Sequence, residues 1–174
     1  MRFLTVRYNS WMKFKSIIFL VILLIPLIQE LKAQEPPPRP VVVTVAQNLG
    51  FGAFTQGIAG GTVTINSGGS RLSTGDVILL NLGYAFSTAQ YTVVANPGTV
   101  ISLLNGPDVS LPGSNGGSMT LHIGDSNPVS PFVISTIPPD YTLLYVGGRL
   151  TVGNPLTNPP GSYSGTFNIT FLQE

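Results

Sequence analysis

From Tyr163 to Phe171 the chain alternates without a break. Tyr163, Gly165, Phe167, Ile169 and Phe171 would share one face of an extended strand, with Ser164, Thr166, Asn168 and Thr170 on the other. Successive side chains of a strand point to opposite faces, so this pattern demands a sheet with one buried face and one wet face. Val63 and Ile65 set against Thr62, Thr64 and Asn66 repeat it. Beyond residue 40 a helical period is hard to find. Short β-branched and aromatic runs alternate instead with clusters of Gly, Pro, Asn and Ser. The expected strands are Val41–Ala46, Gly61–Asn66, Asp76–Leu80, Gln90–Ala95, Thr99–Leu103, Met119–Ile123, Phe132–Ser135, Tyr141–Val146, Arg149–Val152 and Ser162–Phe171. NSGG from Asn66, NPG from Asn96, NGPD from Asn105, GSNGG from Gly113 and TNPPG from Thr157 lie between them. Each suits a turn, because Gly takes positive φ cheaply and Pro presets φ. Many short strands so spaced predict an all-β sandwich or barrel.

The first 33 residues read as an address. Lys13 and Lys15 precede an unbroken apolar run from Ile17 to Ile28. A membrane-spanning helix needs about 20 apolar residues, and a signal-peptide core needs fewer. The small Ala33 then marks cleavage before Gln34. Met12, which opens the basic MKFKS, is an alternative start to Met1. The competing reading is an uncleaved anchor helix. Gln34 to Pro40 (QEPPPRP) forms a proline-rich spacer, and residues 41–174 form a single sandwich domain. This organisation places the mature chain outside the cytoplasm: in the periplasm, on the outer cell surface or in the medium. No stable membrane span is expected after cleavage.

Charge excludes several functions. Only 9% of the 174 residues are charged, against 43% hydrophobic, where average proteins carry roughly 25% charged residues. From Gln34 onward Arg39, Arg71 and Arg149 face Glu35, Asp76, Asp108, Asp125, Asp140 and Glu174, so three positive and six negative charges leave −3. No basic patch survives to meet a phosphate backbone, and no nucleic-acid partner is expected. With no cysteine there is neither a disulfide nor a thiolate metal site.

Catalytic constellations are missing from the sequence. The only histidine, His122, alternates with Met119, Leu121 and Ile123 and should point to solvent. A Ser–His–Asp site would have to use it, and no nucleophile-elbow motif accompanies it. Asp76, Asp108, Asp125 and Asp140 have the residue type for paired-carboxylate chemistry. All four sit in turn contexts, where Asp bonds its own backbone. IGDSN around Asp125 offers oxygens to calcium, but without a spaced acidic loop. The Gly-rich stretches lack the Lys-Ser/Thr ending of a phosphate loop. Asn168-Ile-Thr has the form of a glycosylation sequon, inside an expected strand. Arg71 and Arg149 are expected to clamp turns through carbonyls or a carboxylate. Tyr84, Tyr91, Tyr141 and Tyr145 are candidates for sugar stacking, or for half-buried strand positions. The reading is of a non-catalytic protein: no catalytic, cofactor-binding or metal residues are assigned, and no cofactor is expected.

GGTVTINSGGSRLSTGDVILL from Gly60 and VGGRLTVGNPLTNPPGSYSGTFNITF from Val146 resemble the secreted bacterial "domain of unknown function 4402" family. Its pattern falls on Leu49–Phe54 (LGFGAF), Gly60–Gly75, Val146–Val152 and Pro160–Phe171. More distantly the chain is similar to spore-coat-U-like and other chaperone–usher pilins, although their cysteines are absent. The resemblance implies an immunoglobulin-like (pilin-like) antiparallel β-sandwich, with no site residues to carry over. It also implies strand addition to itself or to related subunits, with Val41–Ala46 either as donor or as the first strand of its own sandwich. The expected function is therefore a structural or adhesive envelope protein, with a fimbria-like subunit as one form of it. The alternative is a monomeric extracellular module that binds surface glycans or proteins.

Overall fold

The computed structural model describes residues 39–174; the expected signal segment and the spacer through residue 38 lie outside the described residues. Every element there is a strand. In chain order they are β1 (Val42–Gln47), β2 (Gly50–Phe51), β3 (Phe54–Ile65), β4 (Arg71–Leu79), β5 (Phe86–Ser87), β6 (Ala89–Val94), β7 (Val100–Asn105), β8 (Val109–Pro112), β9 (Ser118–Asn127), β10 (Phe132–Val133), β11 (Thr142–Val152) and β12 (Ile169–Gln173). All the pairings are antiparallel.

The first layer is built around β11. Along one edge β11 pairs with β9 through residues 145–151. Along the other it pairs first with β6, through Thr142–Val146, and then with β3, through Gly148–Val152. Three two-stranded pieces, β1–β6, β3–β4 and β8–β9, are thus joined by one strand. The second layer is β10–β7–β12, and β2–β5 forms a short separate ribbon. β9 leads into β10 and β7 into β8, so these neighbours carry the sheet from one layer to the other, as strands do at the corners of a sandwich.

The core lies between the layers. Val63, Ile65, Val93, Leu144, Val146 and Leu150 project from the first layer and Ile101, Phe132 and Ile134 from the second, none more than 7% exposed. Each such side chain stabilises the fold by roughly 1.5–3 kcal/mol relative to exposure. The wet face follows from the same alternation. Ser110, Thr120, Thr151, Thr62 and Thr74 stand opposite one another across β8, β9, β11, β3 and β4. The Thr62 and Thr74 hydroxyls bond each other at 2.7 Å.

The β3–β4 hairpin contains a corner. Its ladder runs Gln56↔Val77 and then resumes at Gly61↔Gly75, so Gly57–Gly60 bulge out opposite Asp76. Gly60 and Gly75 have φ of 65° and 68°, in the left-handed region. A Cβ on Gly75 would lie 2.6 Å from the Gly60 carbonyl. Only glycine lets the two backbones cross here.

The alternating C-terminal stretch is paired as a strand only from Ile169, and Ser162–Asn168 is a correction to the expected extent. Tyr163 makes one bridge to Gly113, and the Gly106 N–H reaches the Asn168 carbonyl at 3.0 Å. On the facing chain Gly106-Pro107-Asp108 separates β7 from β8, and Pro107 has no N–H to donate, so the ladder breaks there. The alternation persists in burial: Tyr163, Phe167, Ile169 and Phe171 are half-buried against the core. Tyr141–Val146 and Arg149–Val152 are parts of one strand, continuous through Gly147 and Gly148.

Candidate functional site

The structure disperses the residues that chemistry would need together. Among the described residues no three His, Asp or Glu side chains gather as metal ligands. Asp76 turns back over Gly57 and accepts the Ala59 N–H at 3.4 Å, bracing the bulge. The backbone N–H of Asp140 bonds the Ile137 carbonyl within its own turn. His122 points to solvent and holds Asp108 through Nδ1 at 2.7 Å, both side chains about half exposed. Asp108 comes from the loop between β7 and β8, so the turn residue and the strand residue meet only in three dimensions. Nε2 of His122 has no hydrogen-bond partner among the described residues. Arg149, opposite His122 in the β9–β11 ladder, is exposed, and its expected clamping role has no hydrogen bond among the described residues to carry it.

Arg71 is a clamp. Its guanidinium donates to the Ala53 carbonyl at 2.5 Å and, more weakly, to that of Leu80 at 3.4 Å. It also lies 5.5 Å from the centre of the Phe86 ring. Nine extended residues span about 30 Å, beyond the reach of any side chain. Arg71, which starts β4, can touch Leu80 just past its end only because the hairpin folds over at the glycine corner. Burial lowers its pKa from the ordinary value.

Asn158 was visible in the sequence only as part of a turn, and it is a hub. It is 2% exposed. Its side chain donates to the Ser118 carbonyl at 2.6 Å and accepts the Gly153 N–H at 2.5 Å, while its own carbonyl accepts from Gln56 at 2.6 Å. The signal was its place in a turn whose neighbours Pro159 and Pro160 cannot donate.

Two surface features have the form of sites. The first is an open cleft of about 430 Å³, part polar and part apolar, where β9 bends toward β10. Asp125 and Ser67 meet there, Ser67 donating to Asp125 Oδ2 at 2.6 Å. Asn105 donates to the carbonyls of Gly124 at 3.2 Å and Ile123 at 3.4 Å. Ser130 Oγ accepts the Leu103 N–H at 2.8 Å. Leu103 and Val129 supply the apolar lining. None of the four tyrosines proposed for sugar stacking lines this cleft. Tyr84 and Tyr141 are exposed, Tyr145 is half-buried, and Tyr91 packs into the core.

The second feature is an open rim. Among the described residues β1 pairs only with β6, and β12 only with β7. Tyr91 of β6 touches Phe171 of β12 across the core, so both unpaired edges border the same side of the sandwich. Val45, Tyr91 and Leu144 form one row across β1, β6 and β11. Leu144 is fully buried, yet Val45 is 59% exposed. Among the described residues nothing covers the inward face at the β1 edge. Val42–Gln47 is here a strand of its own sheet, antiparallel to β6.

No curated protein and no solved structure matches the chain. The family whose description is "Domain of unknown function (DUF4402)" matches residues 41–172, from just before the first strand to within the last, and the chain belongs to that family.

Proposed function

We propose that this protein is a secreted, non-catalytic structural or adhesive subunit of the bacterial envelope that assembles with copies of itself by strand addition. The open rim carries this reading. Natural edge strands are blunted by charge, proline or an added cover. β1 (VVTVAQ) has neither a charged residue nor a proline, and β12 (ITFLQ) has none either. A strand from a second copy laid along this rim would satisfy free backbone groups and cover Val45, the pairing mode of β-augmentation. The basic, apolar N-terminal segment supports export. The low charge supports close association of copies.

The test is the size of the native protein in envelope and medium fractions, run unboiled on a denaturing gel. Strand-added assemblies should give a ladder that collapses on boiling. Val45→Lys places a charge on an exposed edge position, where it should leave the fold intact and remove the ladder. A single monomer band from the native protein would overturn the assembly reading and favour a monomeric extracellular binding module.

A further inference from the structure

We infer that the cleft at the β9–β10 bend is a binding site for a neutral saccharide, a function separate from strand addition at the rim. The donors and acceptors left over there decide the ligand class. Ser67 occupies Oδ2 of Asp125, and Oδ1 has no partner among the described residues. The Asn105 amide nitrogen is committed to two carbonyls, which leaves its oxygen to accept. Ser130 Oγ already accepts from the Leu103 N–H, which leaves its proton to donate. Asn127, exposed at the mouth, has both amide functions unpaired among the described residues.

Such a set of acceptors and donors, lining one cleft, suits a ligand whose groups each donate and accept. A vicinal diol does this with every hydroxyl. The alternatives fit less well. An anion would meet the Asp125 carboxylate with no cation among the described residues that line the cleft. A divalent cation would find one carboxylate where calcium takes six to eight oxygens. The volume of about 430 Å³ falls within the usual range for small-ligand sites, roughly 300–1,000 Å³. Leu103 and Val129 offer the apolar contact that the C–H face of a sugar ring requires. Ser67 is itself buried and comes from the NSGG turn after β3, which fixes the carboxylate's orientation.

The experiment is an amide-resonance titration of the isotope-labelled full chain with neutral oligosaccharides of glucose, xylose, galactose and N-acetylglucosamine, repeated with calcium chloride alone. The expected result is saturable, millimolar-range shifts with at least one sugar, confined to Leu103, Asn105 and Gly124–Ser130. Asn127→Ala, at an exposed position, should weaken that binding by roughly tenfold without lowering the melting temperature. Asp125→Ala should abolish it. No saturable shift with any sugar, shifts confined to other residues, or shifts with calcium alone would each overturn the proposal. The gel ladder of native protein reads the rim independently, so the two proposals fail separately.

Discussion

The ring of Tyr91 on β6 meets the ring of Phe171 on β12 edge to face, with centroids 5.6 Å apart and planes crossing at 65°. This contact joins the two layers beside the open rim. Phe171 is half-buried, so Phe171→Ala should destabilise the domain by roughly 2–3 kcal/mol, below the range of about 3–5 for a fully buried Phe. Urea unfolding measures this directly, and a loss below about 0.5 kcal/mol would show that the layers do not depend on the pair.

Burial pushes the Tyr91 phenol above its ordinary value of 10.0. Above pH 10 the unfolded chain gives up this proton while the folded chain keeps it, so the folded state binds more protons and stability falls as pH rises. The contribution is complete below pH 10 and is lost as pH climbs through the higher folded value. Tyr91→Phe should leave the melting temperature at pH 7 nearly unchanged, because the hydroxyl has no partner among the described residues. It should also flatten the alkaline decline. The flattening will be partial, since burial raises the Tyr163 phenol too. An unaltered alkaline slope would remove Tyr91 from the account.

Arg71→Lys tests the hairpin clamp. A lysine ammonium lacks the planar fork that addresses two carbonyls at once. The expected loss is about 1–2 kcal/mol, with faster hydrogen exchange at the Leu80 amide, which bonds Ala53 beside the clamp. A lysine variant as stable as the native protein would mean that the glycine corner holds its fold unaided.

Asn158→Ala removes the side chain that holds the Ser118 carbonyl and the Gly153 N–H together. Groups stripped of a partner in a buried setting cost about 1–3 kcal/mol each. Chemical denaturation should therefore show a loss of at least about 1 kcal/mol, and a neutral variant would mean that water replaces the amide without penalty.

Much of this architecture is legible where the period is two. Met119, Leu121 and Ile123 are buried and His122 exposed, as their alternation requires. Two-residue strands such as β2 and β5 are too short to show a period. β8 (VSLP) hides between turn signals on both sides. Gly61–Asn66 and Asp76–Leu80 capture only part of a longer hairpin, because the bulge at Gly57–Gly60 shifts the frame between its halves. Gly147-Gly148 reads as a break between strands. It is an interior stretch where a Cβ on Gly147 would meet the Ile65 carbonyl, and glycine is needed for that approach. The cleft was visible only as the oxygen-rich IGDSN. Ser67 and Asn105 reach it from distant parts of the chain, and no local pattern encodes such convergence. The sequence offers Val41–Ala46 as donor or as first strand and shows no rim; the uncovered inward face follows from the relative placement of β1 and β12.

The central position of β11 sets a schedule on folding. Its partners lie at residues 61–65, 89–93 and 120–127, all made before it. Until Thr142–Val152 has emerged, the β1–β6, β3–β4 and β8–β9 pieces have no common neighbour, and a two-stranded piece alone is marginal in water. A chain delivered N-terminus first therefore cannot complete its first layer until its last thirty or so residues arrive.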